Sequence, residues 1–354
     1  MRLVFLLSGE HDTLPRAEVI SSLRALNVNY REEPTTDAIL IIDADLPSVT
    51  LDALSKRLGM THGIYELIGI SKAGEREVLA LIRDIDIAEF MAEEQTFAVR
   101  VRGKKPYPLE RGLEGRVGEV IRRSGYEVNL THPAKTFTLL FRNQKCYFGL
   151  LLRSRLKDEF ELRRPHLRPF FSPGVIMPKF ARAIVNLSGV RENELLLDPF
   201  CGTGGILIEA GMIGARLIGI DVQRKMVRGT AENLKFYRLK ADLIVGDASK
   251  IALRTESVDA IVTDLPYGRS SLVSGSFSTG SSAFARGRLN PSYALSEIYR
   301  VLRYQGKAVI VFNSPDIQSL FRDFRIIAKH EYRVHKSLNR YITVLEKKKK
   351  NSFV

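Results

Sequence analysis

The sequence predicts an α/β protein: an α+β N-terminal part followed by a parallel sheet covered on both faces by helices. Three observations predict it. From residue 172 onward, apolar strands (ELLLD, ARLIGID, DLIVGDA, SVDAIVTD) alternate with helical stretches such as GILIEAGMIG and QRKMVRGTAENLKFYRL, the pattern of parallel strands buried on both sides. Earlier strands instead alternate apolar and polar residues, as in TFAVRVR from Thr96, where one face packs and the other is wet. The glycine-rich stretch DPFCGTGG stands between the first strand and first helix of the later pattern, where open α/β sheets bind nucleotides.

A chain of 354 residues with 45% hydrophobic content has room for two or three domains and a sizeable core. None of its apolar runs approaches the ~20 residues of a membrane helix. The start, MRLVFLLSGEHD, reads as a first strand running into acids rather than a signal segment, which makes a cytoplasmic protein the expectation. Cys146 and Cys201 stand far apart in no paired spacing, against a disulfide framework or a zinc ribbon, and no metal is expected.

Charge is unevenly spread. Residues 1–100 carry 10 Lys and Arg against 17 Asp and Glu, a balance of −7, while 101–354 carry 44 against 23, or +21. Clustered cations gain free energy by displacing counterions from phosphates, so the bias favours a nucleic-acid partner over a neutral one.

In chain order, 1–60 mixes apolar runs (LVFLL, AILIID) with helical stretches (RAEVISSLRAL, LDALSKRLG) and holds no catalytic grouping. Within 61–152, Phe97, Val99 and Val101 share one strand face and Arg100 and Arg102 the other. The helix LEGRVGEVIRRS follows, with Leu113, Val117, Val120 and Ile121 on its apolar side and Arg122 and Arg123 off it; VNLTHPAKTFTLLF and KCYFGLLL read as two more strands. Arg100, Arg102, Lys104, Lys105, Arg122, Arg123 and Lys135 are the expected nucleic-acid contacts of this basic module. Residues 153–171, charged and aperiodic, read as a linker, and 172–350 as the second domain. Pro178 opens a helix with Phe180, Ala181, Ile184, Val185 and Leu187 on its stripe. After the Ser/Gly-rich 270–287 come a helix (PSYALSEIYRVL), a strand (GKAVIVFN) and a last strand (RYITVLEKK). The Ser/Gly stretch fits a loop closing on nucleic acid or a disordered insert equally, and KKKKNSFV reads as a solvated tail.

The glycines of DPFCGTGG remove Cβ atoms that would keep a ligand off the backbone. No GK[ST] follows, and Leu207 stands where a dinucleotide fingerprint requires its third glycine, so a triphosphate or dinucleotide is disfavoured. Asp198 would repel a pyrophosphate but can face an ammonium group. Asp221, closing the next strand, can accept from ribose hydroxyls, and Asp247 in VGDAS from an adenine amine. With Cys201, Gly202, Gly204, Val222 and Ala248 around them, these acids suit an adenosyl group that carries an amino acid. TDLPYG closes the fourth strand of this sheet. Pro and Gly often do no more than end a strand, yet this set also suits a poorly nucleophilic exocyclic amine. Asp264 and a backbone carbonyl near Leu265 can accept its two hydrogens, Pro266 fixes that carbonyl, and Tyr267 offers a stacking face with room at Gly268.

In this order DPFCGTGG, IGID, VGDA and TDLPYG resemble the class I S-adenosylmethionine-dependent methyltransferases, with a Rossmann-like domain, and TDLPYG resembles their (D/N)PP(Y/F) motif for base amines, with Leu265 in place of the first Pro. The module around HPAKTF, His132 to Phe137, resembles a THUMP RNA-binding domain, and His132 itself is given no chemistry. RPFFSPGVIMPKFARAIVNLSG resembles the segment ahead of the first strand in THUMP-linked guanine-N2 methyltransferases. Together with a ferredoxin-like N-terminal region, the chain is most similar to the archaeal tRNA (guanine-10-N2) dimethyltransferases. That resemblance implies S-adenosylmethionine as cofactor, tRNA as partner, and methylation, twice, of guanine N2 at position 10; a monomer is the expectation for its assembly. A methyltransferase for rRNA guanine N2 or adenine N6, or an RNA-binding protein without catalysis, fits the same residues.

Overall fold

The structure, a computed structural model, describes residues 1–34, 38–103, 112–154, 159–265, 291–313, 319–335 and 338–348. Along the chain run β1 (Arg2–Leu7), α1 (Leu14–Ala25), β2 (Tyr30–Glu33), β3 (Ile39–Ala44), α2 (Ser48–Arg57), β4 (Thr61–Lys72), α3 (Glu75–Arg83), β5 (Thr96–Gly103), α4 (Leu113–Arg122), β6 (Glu127–Val128), β7 (Lys135–Arg142) and β8 (Lys145–Ser154). They continue with α5 (Pro178–Leu187), β9 (Leu195–Asp198), α6 (Gly205–Gly211), β10 (Arg216–Asp221), α7 (Arg224–Phe236), β11 (Asp242–Val245), β12 (Val258–Asp264), α8 (Pro291–Val301), β13 (Leu302–Phe312), β14 (Phe324–His335) and β15 (Leu338–Lys347).

These elements form two compact units that do not follow chain order. One comprises 1–12, 28–55 and 61–155; the other comprises 13–27, 56–60 and 156–354, so α1 belongs with the later elements.

The first unit is built on one eight-stranded sheet in the order β2-β3-β1-β4-β8-β7-β5-β6. It is continuous across 1–60 and 61–152, because β4 pairs with β1 on one side and β8 on the other. Phe97, Phe137 and Phe148 are fully buried, and the last two stack with centroids 5.6 Å apart. Each such ring contributes about 1.5–3 kcal/mol by leaving water. The predicted stripe of α4 is inside: Leu113, Val117 and Ile121 are buried against these rings. β7 starts only at Lys135, since Pro133 cannot donate to a ladder; ahead of it Glu127–Val128 pair with Thr96–Phe97 as the short β6.

The second unit carries a seven-stranded sheet in the order β11-β10-β9-β12-β13-β15-β14. β9 to β13 run parallel, whereas β15 and β14 are antiparallel. The order reverses at β9, which pairs with both β10 and β12. The carboxyl ends of β9 and β12 therefore flank the point where such sheets open a crevice. β14 has no counterpart in the predicted elements, because RIIAKHEYRVH lacks strict alternation; register shifts at Ile326/Ala328 and Arg333/His335 break its period against β15.

α5 begins at Pro178, buries every apolar residue of its predicted stripe, and also buries Arg182 and Asn186. Those two polar chains belong to a network. Glu18 of α1 accepts from the backbone of Gly59 and Met60, both at 2.8 Å, and from Asn186 Nδ2 at 2.9 Å. Arg182 Nη1 donates to Lys56 O at 2.6 Å. Arg182 and Arg163 both pair with Glu209, which is fully buried, each at 2.8 Å. Buried charges persist only when paired and hydrogen-bonded in this way.

Candidate active site

The crevice is built from strand ends. β9 stops at Asp198, whose side chain is 1% exposed. Its Oδ1 accepts from Phe200 N at 3.1 Å, turning the chain out of the strand, and from Thr263 Oγ1 at 2.7 Å. Thr263 thereby ties the glycine-rich loop to the end of β12. Burial raises the Asp198 carboxyl to about 7, and repulsion from Asp264 and Asp221 adds to the rise.

Gly202 and Gly204 both adopt positive φ, 51° and 78°, which favours glycine at each. A Cβ at Gly204 would come within 2.8 Å of Thr230 Cγ2, whereas at Gly202 the nearest atom would be 3.9 Å away, so that side of the loop is open. Thr230 Oγ1 donates to Gly202 O and Asn233 Nδ2 to Thr203 O, so α7 holds the loop from behind. Cys201 is buried, its thiol pushed well up by burial, which makes it a packing residue rather than a nucleophile.

Asp221, at the end of β10, accepts from Gly202 N at 3.0 Å and Gln223 N at 2.8 Å, and burial raises its carboxyl. Each oxygen keeps a second lone pair for a ligand hydroxyl. Val222 beside it is 59% exposed. Asp247 lies two residues beyond β11, exposed, its Oδ1 accepting from Ser249 N, while Ala248 is buried. The residues expected to hold a cofactor thus lie on the first three carboxyl ends of the sheet.

On β12, Asp264 forms an ion pair with Arg340 Nη2 at 3.4 Å. Leu265 N donates to Val311 O at 2.9 Å, and its side chain is buried in the core between β12 and α8. A proline there could not make that bond, which accounts for the departure from the double-proline motif. Pro266 and Tyr267 lie outside the described residues.

Among the described residues, the expected RNA contacts are on the first unit, and their side chains are not equally free. Arg100 is pinned, donating to Leu130 O at 2.6 Å, while Arg102 is exposed. Arg122 and Arg123 are exposed but share Glu119, at 2.8 and 3.1 Å, which offsets part of their charge. Lys135 pairs with Phe97 and Arg102 with Leu140 in the β5–β7 register, which separates them by about 16 Å along the sheet. Lys104 and Lys105 lie outside the described residues. Among the described residues no helix is long and apolar enough to cross a membrane, and no cluster of three or more His, Cys, Asp or Glu could hold a metal ion.

Sequence reasoning missed Thr263, Thr230, Asn233 and Arg340. The first precedes a motif aspartate and could have been noticed; the other three act across elements whose packing no local spacing encodes.

The strand order, with the glycine-rich loop and acids at its switch point, defines a methyltransferase fold. Residues 165–342 match the family described as UPF0020, an RMKL-like methyltransferase domain. TrmN from Thermus thermophilus has the same fold over 98% of this chain and 100% of that one, with a TM-score of 0.57 and 20% identity. The tRNA (guanine(10)-N2)-dimethyltransferase of Methanothermobacter thermautotrophicus is 37% identical over 98% of this chain and all of its own. That of Methanocaldococcus jannaschii is 31% identical over 97% of this chain and 99% of its own. The chain belongs to the tRNA (guanine(10)-N2)-dimethyltransferase family.

Proposed function

We propose that the second unit methylates the N2 amine of guanine 10 in tRNA, twice in succession, at the crevice between β9 and β12. The supporting observation is the Thr263–Asp198 bond of 2.7 Å, which sets Asp264 next to the glycine-rich loop. S-adenosylmethionine supplies the methyl group, bound on a sulfonium. The residues present fit it: an open loop face at Gly202, acids with spare lone pairs at Asp221 and Asp247, an exposed apolar contact at Val222, and Asp198 for its ammonium.

The chain's own work is orientation. Asp264 and the carbonyl near Leu265 accept the two N–H groups of the amine, turn its lone pair out of conjugation with the ring and offset the positive charge that develops on nitrogen. The monomethyl product keeps one N–H for Asp264, which permits the second transfer. Pro266 and Tyr267 are assigned to holding the carbonyl and stacking the extruded base. The basic module at 61–152, read as a THUMP domain, supplies tRNA grip through its arginines and lysines, and the protein works in the cytoplasm as a monomer.

The test is incubation of labelled S-adenosylmethionine with rRNA transcripts and with tRNA transcripts carrying guanine or adenine at position 10, followed by nucleoside mass spectrometry. N2,N2-dimethylguanosine should appear only with guanine 10. Label entering rRNA alone, or adenine, would replace this reading with one of its rivals.

A further inference from the structure

We propose that Arg340 is a positioning residue that holds the Asp264 side chain aimed into the crevice. The inference rests on the role just given to Asp264.

Arg340 stands on β15, and in the sheet β13 lies between β15 and β12. Its guanidinium must cross two strand spacings, about 10 Å, to reach the tip of β12. It does so at 6% exposure. Nη2 lies 3.4 Å from Asp264 Oδ2 and donates to Gly174 O at 3.2 Å. The guanidinium carbon sits 5.9 Å from the centre of the Phe180 ring, at the edge of cation–π range. Phe180 in turn packs on Tyr332 with centroids 4.8 Å apart. The cation is therefore fixed from several sides rather than free to follow its partner.

Asp264 needs such a cation. Asp198 on β9 and Asp221 on β10 also end in this crevice, and Asp264 repels Asp198 strongly enough to contribute to raising its carboxyl. Three neighbouring carboxylates repel one another, and an Asp264 rotated away from the others cannot accept an amine hydrogen. The guanidinium offsets that repulsion, and its tie to Gly174 O couples the stretch ahead of α5 to the aspartate. Lysine would keep the charge, and since Nη2 alone makes both polar contacts an ammonium could replace part of them, but it lacks the flat, weakly hydrated guanidinium that lies over Phe180.

The experiment compares Arg340→Met and Arg340→Lys with wild type under steady-state turnover on tRNA, with S-adenosylmethionine binding by calorimetry as the measure of an intact site. Arg340→Met should lose about 100-fold in kcat, the cost expected of misplacing one reacting group, with the tRNA KM and cofactor affinity within about threefold of wild type. Arg340→Lys should recover part of the lost kcat, and its intermediate value carries the test if the Met variant fails to bind cofactor. Wild-type kcat in a cofactor-binding Met variant, or in Arg340→Lys a kcat equal to wild type or a fall in KM and kcat together, overturns the inference. Asp264→Ala, measured alongside, separates the two ideas. If it too retains full kcat, the reading of Asp264 fails; if it is inactive while Arg340→Met is not, only the role of Arg340 falls.

Discussion

Asp198 combines 1% exposure with a carboxyl raised to about 7, so near neutrality it is divided between its acid and its carboxylate. A ligand bringing an ammonium group favours the carboxylate. Its affinity should therefore rise as pH climbs toward 7 and level off above it, by about tenfold between pH 6 and pH 8 if only the ionised fraction binds. Calorimetry with S-adenosylmethionine at those values, in buffers of different ionisation enthalpy, should also report proton release at pH 6; flat affinity would detach Asp198 from the ammonium. Gly204 makes a second prediction. With φ at 78° and Thr230 Cγ2 2.8 Å from a built Cβ, Gly204→Ala combines steric overlap with an unfavourable backbone, and cofactor binding should weaken far more than in Gly115→Ala, where nothing lies within 4 Å. Both acids and glycines were legible in the sequence because loop chemistry is local. Arg340 was not, because its partner lies 76 residues away on a strand with which β15 does not pair.

At the scale of elements, the buried ionic network explains how α1 joins the catalytic unit. Glu18, Asn186 and the backbone at Gly59 and Met60 form one hydrogen-bonded set, and Arg182 continues it to Glu209. Removing a single member leaves its partners charged and dry. Glu209→Ala, which takes the buried carboxylate from both Arg163 and Arg182 and leaves Arg163 only Glu159 at 3.3 Å, should cost about 3–5 kcal/mol in chemical denaturation; a loss under 1 kcal/mol would mean water or a rearranged chain satisfies them. Apolar periodicity revealed α5, α7 and the parallel strands, whose side chains share one environment along their length. It missed β14, which pairs on one side with β15 through two register shifts and stands at the sheet edge. Nor could it assign α1 to the later unit. The helix carries Glu18 on a buried side, and a glutamate there reads as solvated until its partners are seen.

For the whole molecule, the sequence-level charge split assigns the positive field to the chain after residue 100, and the structure adds that not every expected RNA-contacting cation is equally available. Arg102 is exposed, whereas Arg100 is engaged by Leu130 O and Arg122 and Arg123 by Glu119. Charge reversal at Arg102 should weaken tRNA binding and lower the slope of log affinity against log salt by about 1, and reversal at Arg100 should do less to the slope and more to stability. Equal slopes for both would contradict that division. Grip and chemistry are then separable properties. The most direct measurement is single-turnover methyl transfer by Asp264→Ala beside its tRNA affinity: transfer should vanish while the dissociation constant stays within about twofold of wild type, since phosphate contacts carry the grip. Retained transfer, or binding lost in proportion, would contradict the account.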